Sequence, residues 1–197
     1  MKAVFLRHGP TEWNALGRVQ GHTDIPLSAD GLARMRALAL PEQFSAARIY
    51  SSPMRRARQT AEALSLANPV LDTRLMEQNW GQWEGMSRQE IMTRHGADVF
   101  QRAGIAAQFQ PPGGESTEAL HDRVAAFINE IAKDQTDAVM VAHLGVLRAA
   151  YTLATGWGMM TPMPEGLDVS KLLVLDVAQD GTPSLHATNV EFKPRTG

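Results

Sequence analysis

The stretch Val4-Phe5-Leu6-Arg7-His8-Gly9-Pro10-Thr11-Glu12-Trp13-Asn14 decides the fold of this 197-residue chain. Its apolar start, Ala3 to Leu6, predicts a short buried strand, and the Gly-Pro pair ends that strand at once. Arg7 and His8 therefore lie at the carboxyl end of a strand, where open α/β sheets bind their ligands. A neutral histidine nitrogen can act as a nucleophile, and the adjacent arginine offers a planar, charged fork for oxyanions. Gly9 is expected to let the backbone pass close to a bound group.

Composition indicates one globular domain covering residues 1–197. Hydrophobic residues make up 44% of the chain and charged residues 20%, as is usual for globular proteins. The formal net charge of -2 gives no sign of a nucleic-acid surface. The chain has no cysteine, which excludes disulfides, thiolate metal sites and cysteine nucleophiles. The N-terminus does not resemble a signal peptide and no apolar run is long enough to span a membrane, so a cytoplasmic protein is expected.

Strand patterns recur along the chain. Apolar runs predict further strands at Arg48-Ile49-Tyr50-Ser51, at Val70-Leu71 and from Asp137 to Ala142, the last without alternation, as in parallel sheets. Leu172 to Val177 and Leu185 to Phe192 predict a closing hairpin around an Asp-Gly turn.

Amphipathic helices are predicted between these strands. Ser28 can cap a helix that carries Leu32, Met35, Leu38 and Ala39 on one face and ends at Pro41. Further helices are predicted from Ser52-Pro53, from Ser116 and over Gly145 to Thr155. The alternation favours an α/β fold with a mostly parallel sheet and an antiparallel edge.

Two further strand ends carry polar side chains. The strand at residues 48–51 leads into Ser52-Pro53-Met54-Arg55-Arg56-Ala57-Arg58, where three arginines open a helix. Arg55 and Arg58 fit a solvated face, whereas Arg56 points about 100° away from Arg55. The strand at residues 138–142 leads into His143-Leu144-Gly145 and repeats the order strand, histidine, glycine, helix. One such histidine would be read as a core residue, but two in one sheet indicate a common site.

The aperiodic stretch Leu75-Met76-Glu77-Gln78-Asn79-Trp80-Gly81-Gln82-Trp83-Glu84-Gly85 holds two carboxylates close to tryptophans. A loop carboxylate is usually just solvated. Glu77 could instead lean over the crevice and act as an acid. Glu84 is expected to brace the loop.

These motifs, taken in chain order, resemble those of the histidine phosphatase superfamily, the phosphoglycerate-mutase-like proteins of branch 1. The resemblance implies a three-layer α/β/α fold. Its matching segments are Leu6-Arg7-His8-Gly9, Asn14, Gln20-Gly21-His22-Thr23-Asp24-Ile25-Pro26-Leu27-Ser28, Ser52-Pro53-Met54-Arg55-Arg56-Ala57, Glu77 to Gly85, Pro112-Gly113-Gly114-Glu115-Ser116 and His143. One departure is Leu144, because many members have glycine directly after the second histidine.

The resemblance implies a metal-independent phosphomonoester hydrolase that uses no cofactor. His8 would attack phosphorus and form a phosphohistidine, while Arg7, Arg56 and His143 would stabilise the charge on the phosphoryl oxygens. Glu77 would protonate the leaving alcohol and then activate water. The remaining substrate- and phosphate-binding positions are Asn14, Gln20, Gly21 and Leu144.

The expected partners are a small phosphorylated metabolite and inorganic phosphate as product, with no nucleic acid and no membrane, and with a homodimer as a further possibility. The block from Gln20 to Leu27 is most similar to α-ribazole-phosphatase-like and broad-specificity phosphatases. Substrate-cap segments are expected near residues 80–114 and 157–168. Within the second, Met159, Met160 and Met163 are expected to fill gaps.

Three alternatives compete with this interpretation. A metal hydrolase is disfavoured because the six histidines show no ligand spacing such as H-E-x-x-H. A non-catalytic phosphate-ligand binding module would not need Glu77. A cofactor-dependent phosphoglycerate mutase must cover its site, and the chain ends five residues after Phe192, so hydrolysis is favoured.

Overall fold

A six-stranded sheet forms the centre of the molecule in a computed structural model that describes residues 1–99, 109–158 and 167–195. The strands among the described residues are β1 (Lys2–Arg7), β2 (Leu38–Ala39), β3 (Arg48–Ser51), β4 (Val70–Leu71), β5 (Ala138–Ala142), β6 (Leu172–Val177), β7 (Pro183–Val190) and β8 (Lys193–Pro194). Six of them form the central sheet, and β2 and β8 form a separate two-stranded sheet. The sheet order is β4-β3-β5-β1-β6-β7. Neighbouring strands from β4 to β1 pair in parallel. β6 pairs antiparallel with β1, and β7 pairs antiparallel with β6.

Helices connect the strands and cover both faces of the sheet. They are α1 (Glu12–Ala15), α2 (Ala29–Arg36), α3 (Arg55–Ala63), α4 (Arg88–His95), α5 (Thr117–Ile131) and α6 (Leu144–Thr155). Short 3-10 turns lie at Glu42–Phe44, Thr73–Leu75, Gly81–Trp83 and Ala132–Asp134. No helix among the described residues is long and apolar enough to cross a membrane.

The two faces of β1 explain the layering. Val4 and Leu6 pack into a core with side chains of α2 and α3, whereas Ala3 and Phe5 pack into a core with α5 and α6. All four are fully buried, because alternate residues of a strand point to opposite faces and both faces are covered. The predicted three-layer α/β/α fold with an antiparallel edge is confirmed.

Strand register places the candidate site. Arg7 lies opposite Ala142 on β5, and Ser51 lies opposite Val141. The pairing continues one residue beyond each strand, since the His8 backbone N–H donates to the Ala142 carbonyl at 2.9 Å and that of Ser52 donates to Val141 at 3.0 Å. The residues that follow β1, β3 and β5 therefore share one edge of the sheet.

The predicted helix ending at Pro41 is too long. α2 ends at Arg36, and Leu38 and Ala39 form strand β2, which pairs with Pro194 and Lys193 of β8. Leu38 still packs on the core, so its apolar character fits both conformations, and the backbone pairing with β8 selects the strand. The helix predicted from Ser52-Pro53 begins slightly later, at Arg55.

The predicted cap segments are only partly covered by the described residues. Residues 100–108 and 159–166, including Met159, Met160 and Met163, lie outside them. The cap function of 80–114 and 157–168 stays a prediction.

Candidate active site

Two histidine rings meet where β1 and β5 end. His8 is 6% exposed and His143 is fully buried, and their ring centroids are 5.1 Å apart. The shared register of β1 and β5 holds both residues through backbone pairing. Arg7, the last residue of β1, lines the same crevice.

His8 is arranged as a neutral imidazole with one free nitrogen. Its Nδ1 lies 2.7 Å from the Gly9 carbonyl, so Nδ1 carries the proton and donates, and Nε2 keeps its lone pair. Burial, followed by the charges of Arg56 and Arg7, lowers the pKa of His8 to about 3. The ring therefore remains unprotonated and nucleophilic at neutral pH.

Gly9 has a packing role. A Cβ at this position would lie 2.6 Å from Cγ of Met35 on α2, closer than carbon atoms pack. The space beside Gly9 is thus filled by a core side chain, and Gly9 also lines a cavity next to His8, so its close approach to a bound group stays a prediction. The Gly9 N–H donates to Thr60 Oγ1 at 2.9 Å, which ties the end of β1 to α3.

Arg56 is fully buried and contacts His143. Its Nε donates to His143 Nδ1 at 3.2 Å, while its two terminal nitrogens donate to the carbonyls of Thr23 at 3.1 Å and Gly21 at 2.8 Å. Because His143 Nδ1 accepts, its Nε2 carries the proton and donates to Ser52 Oγ at 2.9 Å. Burial, with His8 and Arg56 adding to it, holds the pKa of His143 well below its usual value.

Glu77 reaches the same crevice from its rim. Its carboxylate accepts from the backbone N–H of Gln78 at 2.9 Å and of Gly145 at 3.0 Å. A Cβ at Gly145 would lie 2.2 Å from Oε1 of Glu77. Glycine is needed at 145 because the carboxylate occupies that space, which explains the glycine that follows Leu144.

Arg123 of α5 fixes the backbone that carries Glu77. It donates to the carbonyls of Met76 at 2.7 Å and Glu77 at 3.0 Å. Glu115 accepts from the same guanidinium at 2.7 Å. The acidic residue of the Pro-Gly-Gly-Glu-Ser motif thus acts through Arg123, a residue that the sequence did not single out.

Glu84 braces the loop, as expected. Its carboxylate accepts from the backbone N–H groups of His22 at 2.7 Å, Thr23 at 2.6 Å and Trp80 at 3.2 Å, and from the Thr23 hydroxyl. Gly21 packs against it, since a Cβ there would lie 2.1 Å from Glu84 Oε1. Gly21 is not among the described residues that line the cavities, and its carbonyl accepts from Arg56, so its role in phosphate binding stays a prediction.

Three other predicted phosphate-binding residues, Asn14, Gln20 and Leu144, line the crevice. Asn14, in α1, accepts from the Thr11 N–H and hydroxyl, both at 3.0 Å. The Thr11 hydroxyl also lies 2.9 Å from Gln20 Oε1. Leu144 is the first residue of α6, so its N–H is one of those that lack an intrahelical acceptor.

Comparisons with known proteins agree with this geometry. The sequence profile of the histidine phosphatase superfamily (branch 1) matches residues 3–190. The chain belongs to this superfamily.

Two curated relatives of this histidine phosphatase are named phosphatases. Glucosyl-3-phosphoglycerate phosphatase of Mycolicibacterium vanbaalenii is 38% identical over 164 residues, which cover 75% of this chain and 71% of that one. Phosphoserine phosphatase 1 of Hydrogenobacter thermophilus is 33% identical, with coverage of 79% and 77%. A mycobacterial glucosyl-3-phosphoglycerate phosphatase solved with VO3 superposes with a TM-score of 0.81 at 25% identity, covering 96% and 99% of the two chains. The prediction of a phosphoric monoester hydrolase is confirmed.

Two cavities meet at the nucleophile candidate of this histidine phosphatase, and both are lined by Arg7, His8 and Asn14. The first cavity, of about 190 Å³, is also lined by Glu77. The second, of about 320 Å³, continues along α2 and lacks Glu77. Glu77 is therefore placed to donate a proton to a leaving group that lies in the first cavity.

Sequence reasoning missed Arg148 and Thr117, which also line the first cavity. Arg148 follows Leu144 by four residues, so it lies on the same face of α6. That spacing was the available signal. Among the described residues, no three histidine, aspartate or glutamate side chains form a cluster able to hold a metal ion.

Proposed function

We propose that this histidine phosphatase hydrolyses small phosphomonoesters with His8 as its nucleophile. The observation that carries the proposal is the neutral His8 ring, whose Nδ1 is bound to Gly9 and whose Nε2 is left for attack. Arg7 and Glu77 line the same cavity. A phosphoryl group there would meet a nucleophile, a cation and an acid together.

Arg7 supplies charge where the phosphoryl oxygens would lie. Its Nε is buried and has no hydrogen-bond partner among the described residues, which is costly for a cationic group unless an anion arrives. Burial lowers the pKa of Arg7, and Glu77 opposes that effect. Arg56 and His143, both fully buried, add positive and polar groups beside His8, and the Leu144 N–H adds a donor at the start of α6.

Glu77 is assigned the proton transfers. In the first step it protonates the departing alkoxide, and His8 Nε2 becomes phosphorylated. In the second step Glu77 removes a proton from water, which attacks the phosphohistidine and releases inorganic phosphate. The N–H groups of Gln78 and Gly145 hold the carboxylate in place.

The substrate is proposed to be a small phosphorylated metabolite, since the first cavity is small. The named relatives act on glucosyl-3-phosphoglycerate and on phosphoserine, which supports a phosphorylated organic acid or a related ester. The cytoplasmic location, the homodimer and the cap role of 80–114 and 157–168 stay predictions from sequence.

Replacement of the nucleophile tests the assignment. His8→Ala should remove turnover of p-nitrophenyl phosphate and remove the acid-labile phosphoenzyme seen after rapid quench. The control is His186→Ala, because His186 is exposed and, within the part of the chain that the structure describes, forms hydrogen bonds with Lys2 and Asp176, away from the site. Turnover retained by His8→Ala would show that another group attacks phosphorus. Transfer to an added phosphate acceptor in preference to water would favour the mutase.

A further inference from the structure

We propose that His22 and Arg123 are positioning residues for Glu77 and that they act on its carboxyl group through the peptide bond between Glu77 and Gln78. The inference rests on the proposed function, because it takes Glu77 as the proton donor. It adds two groups that are not among the described residues lining the cavities next to His8. These groups would set where the proton is delivered without touching the substrate.

The peptide group between Glu77 and Gln78 is hydrogen-bonded on both of its edges. Its carbonyl accepts from His22 Nε2 at 3.0 Å and from Arg123 Nη2 at 3.0 Å. Its N–H donates to Glu77 Oε1 at 2.9 Å. A trans peptide group is planar, and its C=O and N–H point in opposite directions. Donors that fix the carbonyl therefore also fix the N–H that holds the carboxylate.

The two donors come from different parts of the fold. Arg123 lies in α5, and Glu115 holds its guanidinium through bonds of 2.7 and 2.9 Å. His22 lies between α1 and α2, and its backbone N–H donates to Glu84 at 2.7 Å. Because the His22 ring contacts a carbonyl, its Nε2 carries the proton. Each donor is thus held by a carboxylate of its own.

Burial shows what the histidine adds. Glu77 is 7% exposed and Gln78 is 5% exposed, so the carbonyl between them needs a hydrogen-bond donor. Arg123 supplies that donor from α5. The bond from His22 is a second one, from a residue that is itself exposed. Its contribution is to restrict the orientation of a peptide group whose hydrogen bond to the protein is already made.

The segment that carries His22 also contacts the phosphate side of the site. The residues on either side of His22 accept from Arg56 through their carbonyls, at 2.8 and 3.1 Å. Arg56 in turn donates to His143, whose ring lies beside that of His8. One short segment therefore sets the distance between the acid, Glu77, and the histidine pair.

The test measures phosphoenzyme formation from glycerol 3-phosphate and from p-nitrophenyl phosphate by rapid quench. We define the leaving-group ratio as the rate constant for the nitrophenyl ester divided by that for glycerol 3-phosphate. This ratio rises when proton donation weakens, because only the alkyl ester depends on the proton. His22→Phe keeps a ring and removes the donor. It should raise the ratio by about 3- to 10-fold, as the loss of one hydrogen bond does.

Two variants separate positioning from a merely structural role. His22→Gln offers an amide N–H near the place of Nε2 and should return the ratio close to the wild-type value. In a Glu77→Gln background, which has no proton to donate, adding His22→Phe should leave the ratio unchanged, since the two residues act as one unit. A structural defect would instead slow both esters in either background.

Arg123 and a matched control complete the set. Arg123→Lys keeps a positive charge beside Glu115 but loses the fork, so it should also raise the ratio. His186→Phe makes the same substitution at another exposed histidine, one that binds Lys2 and Asp176. Its ratio should match wild type, and thermal unfolding of His22→Phe should show that the variant is folded.

The remaining outcomes distinguish this inference from the proposed function. A raised ratio in Glu77→Gln together with wild-type ratios in His22→Phe and Arg123→Lys would leave the acid in place and overturn the positioning roles. Equal losses for both esters in His22→Phe would overturn them as well. A wild-type ratio in Glu77→Gln would reject the acid itself, and the positioning roles with it.

Discussion

Replacing Gly145 with alanine should disturb the proposed acid while leaving the nucleophile in place. The added Cβ would lie 2.2 Å from Oε1 of Glu77 and 3.2 Å from a methyl carbon of Leu120. The leucine methyl can yield, but the carboxylate must retreat. Its bond from the Gly145 N–H, 3.0 Å long, would be stretched or lost.

The geometry sets the size of the effect. A contact of 2.2 Å must lengthen by about 1 Å to reach ordinary packing, and a misplacement of that size costs about 100-fold in rate. Stability should change less, because alanine is favoured over glycine within a helix by about 1 kcal/mol. That gain partly offsets the loss of a hydrogen bond to a charged group, about 1.5–3 kcal/mol.

The assay compares two leaving groups in the phosphorylation step. Glycerol 3-phosphate releases a poor leaving group that needs the proton, whereas p-nitrophenyl phosphate releases a good one. Rapid-quench measurement of phosphoenzyme formation by Gly145→Ala should show a loss near 100-fold for the first ester and a much smaller loss for the second.

Arg58→Ala is the control. Arg58 is exposed on α3 and lines neither cavity, so both phosphorylation rates should stay at wild-type values. Equal losses for the two esters in Gly145→Ala would refute the reasoning, since they would show that Glu77 acts on something other than the leaving group. An unchanged rate for both would refute it as well.

Four shorter predictions follow from the same site. Glu77→Gln should reproduce the leaving-group contrast with a loss of roughly 10²–10⁴-fold for alkyl esters. Glu84→Gln replaces one accepting carboxylate oxygen with an NH2 donor and removes the charge, so it should lower thermal stability without that contrast. The pKa of His8 is about 3 in the folded protein and about 6.5 in the unfolded chain. Between these pH values the imidazole binds a proton in the unfolded chain but not in the folded protein. The free energy of unfolding therefore falls as the pH falls through that window, by at most about 1.4 kcal/mol per pH unit. The free energy of unfolding, measured with urea, should fall less between pH 6.5 and pH 4.5 for His8→Asn than for wild type. An equal fall in both proteins would contradict the lowered pKa. Excess chelator should leave phosphatase turnover unchanged, and a loss restored by a divalent cation would favour the metal hydrolase. Vanadate should inhibit competitively with the substrate. Arg7→Met should lower the affinity for vanadate by about 10-fold or more, as loss of a charge-assisted hydrogen bond does.

Sequence predicts those helices and strands well whose hydrophobic pattern or end residue matches the burial and backbone conformation that the fold gives them. β5 reads as an unbroken apolar run because both of its faces are covered, and α6 ends at Gly156, which adopts a φ of 71° that favours glycine. The candidate site was predictable for a similar reason. His8 and His143 each follow a strand directly, and parallel strands place their carboxyl ends along one edge.

The features that sequence missed depend on distant partners. β2 contains two residues and exists because Leu38 and Ala39 pair with β8, more than 150 positions away in the sequence. Arg56 was expected to face a phosphate, which stays a prediction; in the structure it is fully buried and donates three hydrogen bonds to protein acceptors. Neither local spacing nor propensity carries information about such partners.

The pairing of β1 with β5 has a consequence for how activity is acquired during folding. Ala3 lies opposite Ala138, so the edge that aligns the two histidines forms only after the ends of a very long loop have met, which is a slow event. Helices α2 and α5, by contrast, can form from local contacts. After dilution from denaturant, recovery of helical circular dichroism should precede recovery of catalysis, and the interval between them would measure how late this central strand pair is completed.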